Sequence, residues 1–246
     1  MPGNPSSPIV FAYLDEPPFC FPTEGGTAGG SDVELVTAVL KALGIASFET
    51  RLTSFAELLP GLVDGRWTIT TPLFISQERL ELVDFSHPVW ALADGLMTRQ
   101  ADSARLTCYE ALARDGRSRL AVVSDQVQEQ TGLKAGIPDG RILRVATQED
   151  AVDLVRSGRA DAYASVAMAH RGYLALHPDP RLAVVTVRAA MPARGAFAFA
   201  KSAAGFRRRF DEALRSQLGS AGHRSMMARY GFSPDDLTLD HLAFGR

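Results

Sequence analysis

The chain has 246 residues, 26 Lys+Arg against 28 Asp+Glu, a formal net charge of −2 and 46% hydrophobic residues. This composition excludes a disordered or collagen-like chain. The balanced charge argues against a surface built for phosphate backbones, so no nucleic-acid partner is expected. The length suits one large domain or two lobes of about 100–150 residues, and no apolar stretch approaches the roughly 18 residues that cross a bilayer.

The opening MPGNPSSP is polar and turn-rich, without the charged-then-apolar order of a signal peptide. Two readings follow, a cytoplasmic protein or an exported one whose leader has been removed. Ile9 to Tyr13 is an apolar run that predicts a buried strand. Asp15-Glu16-Pro17-Pro18-Phe19 ends it, because the prolines remove ladder donors. The run Gly25 to Gly30 lacks the lysine of a phosphate-binding loop and reads as a flexible turn. Ser31-Asp32-Val33-Glu34 has the sequence of a capping box. Behind it Val36, Val39, Leu40 and Leu43 keep helical spacing up to Gly44.

The same grammar recurs twice. Ser54-Phe55-Ala56-Glu57 predicts a helix start, Gly65-Arg66 its end, and Thr68 to Phe74 a strand. Thr147-Gln148-Glu149-Asp150 predicts a second start, Gly158-Arg159 its end, and Asp161 to Val166 a strand. Cap to glycine is eleven positions in both copies, which points to two lobes of similar topology. Leu120 to Ser124, Ile142 to Ala146, Leu182 to Val187 and Gly195 to Ala200 read as further strands. Phe206 to Tyr230 reads as helix with a break at Gly219 to Gly222. Alternating strands and helices predict parallel α/β sheets, whose ligands sit at the carboxyl ends of the strands.

Catalytic signatures are missing: no GxSxG, GxxxxGK[ST], HExxH or GxGxxG. The histidines at 87, 170, 177, 223 and 241 have no ligand spacing, and His87 suits an exposed or structural role. Cys20 and Cys108 form neither a CxxC nor a metal pattern and read as free thiols. The basic run Phe206-Arg207-Arg208-Arg209-Phe210 fans its arginines around a helix as a solvated face. No catalytic residue, cofactor or metal site is therefore assigned.

A set of residues at strand ends remains. Glu16, Phe19, Phe55, Phe74 and Arg79 all fall just after predicted strands or in the first turn of helices. Each has a plain alternative. Phe19 and Phe74 serve equally well as core, Phe55 is exposed after its cap unless something covers it, and Arg79 has Glu78, Glu81 and Asp84 as local partners. Together an acid, a base and three aromatics suit a zwitterion, its carboxylate on Arg79 and its cationic end near Glu16 and aromatic faces.

Five segments, in order, resemble the polar amino-acid substrate-binding proteins of ABC transporters (solute-binding protein family 3). They are Glu16 to Phe19, Ser31 to Val36, Phe55 to Leu62, Ile75 to Arg79 and Val83 to Pro88, against the family's "PPF", "(F)D(I/V)(E/D)L", "FxxLLPxL", "(I/L)TxxR" and "xDFSxP". The resemblance covers nearly the whole chain. It implies a two-lobed Venus flytrap of the periplasmic binding protein type II fold, each lobe an α/β sheet flanked by helices. Lobe 1 is then 1–97 plus 192–246 and lobe 2 is 98–191, with crossover strands near Gly95 to Arg99 and Val185 to Arg194.

The resemblance further implies that Arg79 grips a carboxylate and Phe55 stacks on the ligand. Thr70, Thr71, Pro72, Gln126, Val127, Gln128 and Ser165 supply further contacts, with helix N-terminal donors among them. It implies a periplasmic monomer that captures a small molecule, closes on it by population shift and docks on a membrane permease. Two departures matter. Pro72 and Phe74 stand where many members carry serine or glycine. Ala164-Ser165-Val166-Ala167 lacks the aspartate that many use for an α-ammonium, a group costly to bury unpaired. Glu16 with Phe19, Phe55 and Phe74 in that role is similar to binders of ectoine-like or betaine-like solutes. Two alternatives accompany this reading. One is a cyclohexadienyl dehydratase-like enzyme using Glu129 or Glu16 as general acid. The other is a receptor's sensory module, against which the ending Leu242 to Arg246 speaks, since no helix follows it.

Overall fold

The structure is a computed structural model that describes residues 8–187 and 193–237. The remainder of the opening segment, part of the second crossover, His241 and the ending Leu242 to Arg246 lie outside the described residues. The chain divides into two compact units. The first runs to Thr53 and includes Glu57–Ala91 and the chain from Ala193 on; the second comprises Ser54–Ala56 and the chain from Leu92 to residue 192.

The first unit begins with β1 (Val10–Tyr13), a short hairpin of β2 (Phe21–Pro22) and β3 (Ala28–Gly29), and α1 (Ser31–Ala42). It continues with β4 (Glu49–Leu52), α2 (Leu58–Val63), β5 (Ile69–Phe74), α3 (Gln77–Leu82), β6 (Val83–Phe85) and β7 (Trp90–Leu92). In the second unit β8 (Asp94–Arg99) and α4 (Tyr109–Asp115) precede β9 (Leu120–Val123), α5 (Val127–Lys134) and β10 (Ile142–Val145). α6 (Gln148–Arg156), β11 (Ala162–Val166), α7 (Ala167–Leu176) and β12 (Leu182–Thr186) complete it. β13 (Ala193–Ala200), α8 (Ala204–Gln217) and α9 (Ala221–Arg229) belong to the first unit.

Both sheets are mixed, which corrects the parallel expectation. The first has the order β4-β1-β5-β13-β6 with β7 also on β13, and the second β10-β9-β11-β8-β12. β1 runs parallel to β4 and β5, and β9 parallel to β10 and β11. β13 is antiparallel to β5 and β6, and β8 antiparallel to β11 and β12. A strand–helix–strand crossover holds successive strands parallel. β8 follows β7 after the single residue Ala93, so no crossover helix constrains its direction.

Residue alternation places the second unit's core on two faces of one sheet. Leu96, Val122, Ala162 and Ala164 pack with Leu106, Leu112 and Ile137 on one face. Met97, Ala121, Val123 and Tyr163 pack with Val152, Val155 and Tyr173 on the other. In the first unit Phe197 meets Phe11 and Phe210 edge-on at 6.3 and 5.3 Å, and Phe199 meets Phe210 at 5.1 Å.

Three local expectations are revised. The capping box at Ser31 does not form. Gly30 is the N-cap at φ 115°, and Ser31 and Asp32 are buried inside the helix start. Carbonyls do the capping instead: Ser31 N–H donates to Pro18 O at 3.0 Å and Asp32 N–H to Phe19 O at 2.9 Å. Glu34, freed from that role, binds Arg229 at 2.5 Å and the Tyr230 hydroxyl at 2.6 Å. The segment at Ser54 enters α2 through a 3-10 turn, Phe55–Glu57, whereas Thr147 caps α6 by accepting from Asp150 N at 3.1 Å. Arg207 is only partly exposed; it turns inward to Phe85 O, Asp211 and Asp84, while Arg208 and Arg209 are exposed.

Candidate functional site

Two groups of polar and aromatic side chains gather at the carboxyl ends of the parallel strands, one in each unit. In the first unit the turn after β1 is held by Glu16 N–H on Cys20 O at 2.8 Å and Phe19 N–H on Glu16 O at 3.0 Å. The turn places Phe19, 5% exposed, against Trp90 at 5.6 Å and Phe232 at 5.9 Å. Phe74 closes β5 half-buried and stands perpendicular to Trp90 at 5.4 Å. Phe19 and Phe74 thus flank one indole, which makes both of them packing partners of Trp90.

Arg79 is 8% exposed in the first turn of α3, and Ser76 caps that helix by accepting from Arg79 N. Its Nη1 donates to Phe74 O at 2.9 Å, so the guanidinium is fixed at the end of β5 beside an aromatic. Asp84, one of the partners considered for it, lies 3.7 Å from Arg207.

Beneath this surface Thr71 Oγ1 donates to Asp32 Oδ2 at 2.8 Å and lies 3.0 Å from Cys20 Sγ. The buried Trp90 indole N–H forms no regular hydrogen bond among the described residues but lies near enough to influence the same carboxylate. Complete burial pushes Asp32 up to about 7; Thr71, Trp90 and Ser31 oppose the rise and the Glu16 charge adds to it. Burial, then the Asp32 charge, pushes the Cys20 thiol well up. Thr70 is fully buried and donates to Thr71 O at 2.9 Å, and Pro72 is buried between them and Leu73. Both threonine hydroxyls are therefore engaged within the unit. Both cysteines are free.

In the second unit β9 ends at Val123, and Asp125 in the turn that follows, at a φ of 67°, leads the chain left-handedly into α5. Gln126 is the N-cap of α5, and its buried Oε1 has no hydrogen-bond partner among the described residues. Val127 is half-buried. Gln128 is buried, and its Nε2 donates to Asp94 Oδ1 at 2.8 Å. The Tyr109 hydroxyl donates to Asp94 Oδ2 at 2.8 Å. Ser165 is buried in register with Gly95, and Val166 lies opposite Asp94. Burial raises the Asp94 carboxyl, with Tyr109 and Gln128 holding it down in part. Phe55 counts with this unit and packs at the margin of the Leu154 and Tyr163 cluster.

Sequence reasoning missed Asp94 and Asp32. The available signal for Asp94 was an acid inside the otherwise apolar run Val89 to Met97, whereas Asp32 stands among Gly30, Ser31 and Glu34 and gives no such signal. Glu129, considered as a general acid, forms an ion pair with Arg144 at 2.9 Å. His170 is fully buried against Tyr163 and Gly95 O, and burial lowers it to about 4, so it is a neutral core residue. No group of three or more His, Cys, Asp or Glu suited to a metal ion occurs among the described residues.

The family model for bacterial extracellular solute-binding proteins, family 3, matches residues 9–231. The chain is 28% identical over 237 residues to a probable amino-acid ABC transporter periplasmic-binding protein, y4tE, of Sinorhizobium fredii, covering 93% of this chain and 78% of that protein. The structure is similar to EhuB in complex with hydroxyectoine, with a TM-score of 0.85, 25% identity and coverage of 92% and 88%. It also shares the fold of an ancestral arginine-binding protein bound to arginine, with a TM-score of 0.80, 21% identity and coverage of 91% and 97%.

Proposed function

The chain belongs to the bacterial extracellular solute-binding proteins of family 3, and from that premise we propose that it captures a small zwitterionic or carboxylate-bearing solute for uptake by an ABC transporter. The observation that carries this reading is Arg79. Its guanidinium is fixed on Phe74 O, next to the Phe19–Trp90–Phe74 aromatics. A guanidinium held in one orientation presents a planar donor fork that matches a carboxylate. Aromatic faces beside it suit the cationic half of the same molecule. Within the second unit the Gln126-Val127-Gln128 turn and Ser165 offer polar groups of their own at strand ends.

Hydroxyectoine and arginine, the ligands of the two similar structures, both combine a carboxylate with a cationic nitrogen. The ligand class assigned here is that combination, an amino acid or an ectoine-like or betaine-like solute. The protein acts outside the cytoplasm, in the periplasm, as a monomer, and its partner is the permease of the transporter. The test is calorimetric titration with amino acids, ectoine, betaines and prephenate. Stoichiometric binding of a zwitterion without turnover is the expected result. Conversion of prephenate to phenylpyruvate would overturn the reading.

A further inference from the structure

Asp94 is a partly buried carboxylate without a counter-charge. Both its oxygens are held by neutral donors, Tyr109 OH and Gln128 Nε2, each at 2.8 Å. No Lys, Arg or His forms an ion pair with it among the described residues. Two neutral hydrogen bonds orient a carboxylate but leave its charge in place, and each oxygen keeps a further lone pair for a donor. A buried charge left in that state is costly.

Its place in the sheet adds a second argument. Asp94 opens β8, and the antiparallel register sets it opposite Val166, the last residue of β11. It therefore stands at the carboxyl end of β11, where the stretch Ala164 to Ala167 has no acid of its own. The next strand supplies the carboxylate that this strand lacks. Gln128, which binds Asp94, follows two positions after Gln126, whose buried Oε1 also lacks a donor. Two acceptors in one loop and strand end, one of them charged, call for N–H groups and a positive charge.

We propose that Asp94, assisted by the Gln126 carbonyl oxygen, receives the cationic nitrogen of the solute and selects cations that carry N–H over quaternary ammonium. This rests on the solute-binding reading above and narrows its ligand class to protonated amines, amidiniums and guanidiniums. A quaternary nitrogen offers no hydrogen to either acceptor, so it leaves Gln126 Oε1 unsatisfied and gains only the through-space attraction of Asp94.

The test titrates the full chain with ectoine, L-arginine and the matched pair L-proline and N,N-dimethylproline. The wild type binds at least one N–H solute, at least about tenfold more tightly than the dimethylated compound. Asp94→Asn loses that preference, with its affinity for the N–H solute falling at least about tenfold. Gln126→Leu, which leaves the charge in place, weakens the N–H solute severalfold and spares the dimethylated one; it decides the matter if Asp94→Asn does not fold. Wild-type preference for the dimethylated compound, or unchanged N–H affinity in both variants, overturns the proposal and leaves the solute-binding reading standing. Absence of wild-type binding to any zwitterion overturns both.

Discussion

Gly195 faces Trp90 so closely that a Cβ on the glycine would lie 2.1 Å from the indole ring. β13 brings Gly195 into register with Phe74, so the missing side chain leaves the space in which Trp90 sits against Phe19 and Phe74. Gly195→Ala must push the indole out of that place or shift β13. The expected cost is about 1–3 kcal/mol, as for other overpacked sites. It appears as a lower urea midpoint with a changed tryptophan emission, and solute affinity falls with it. An unchanged midpoint and spectrum would show that Trp90 is not set by this contact.

Arg79→Ala removes the donor fork and leaves Phe74 O without its 2.9 Å partner. Carboxylate-bearing solutes are expected to lose at least about tenfold in affinity, the size of a hydrogen bond to a charged group. Arg79→Lys restores charge without the fork and recovers only part of the loss. Equal affinity in all three proteins, measured by calorimetry, would remove Arg79 from the site.

Asp32 predicts a pH dependence of stability with a definite sign. In the folded protein its carboxyl keeps the proton to about pH 7, whereas an unfolded aspartate releases it near 3.8. Between these values the folded state binds more protons, so this group's contribution falls as pH rises and levels off above about 7. The slope is at most about 1.4 kcal/mol per pH unit. Asp32→Asn carries no titrating group, so the difference between wild-type and variant urea midpoints should change steadily from pH 4.5 to 7.5. A constant difference would mean that Asp32 is charged throughout.

The cysteines should differ in reactivity. Cys20 is buried and its thiol is pushed well up, first by burial and then by the Asp32 charge, so little thiolate exists to react. Cys108 is only half-buried at the start of α4. A thiol-exchange reagent is expected to titrate one equivalent in the native protein and two in guanidinium chloride. Two fast equivalents in the native state would contradict the burial of Cys20.

Most elements were legible because their signals are local. The Thr147 cap is a side chain bonding three residues ahead, and Gly65 and Gly158 end their helices at φ 73°, where an L side chain is strained. The Ser31 capping box misled because its sequence is local but its competitor is not. Pro18 O and Phe19 O reach the helix start from the preceding turn, and no spacing within residues 31–34 records that.

The candidate site divides the same way. Arg79, Phe19 and Phe74 stand in runs of sequence whose spacing announces strand ends and helix starts, so the chain alone was enough to single them out. Asp94 and Asp32 acquire their meaning from partners far along the chain: Gln128 and Tyr109 for one, Thr71 and Cys20 for the other. Those partnerships depend on β8 entering its sheet antiparallel and on α1 settling over the end of β5. Local propensity carries no information about either, because strand direction and register are set by which surfaces bury each other once the whole unit has packed.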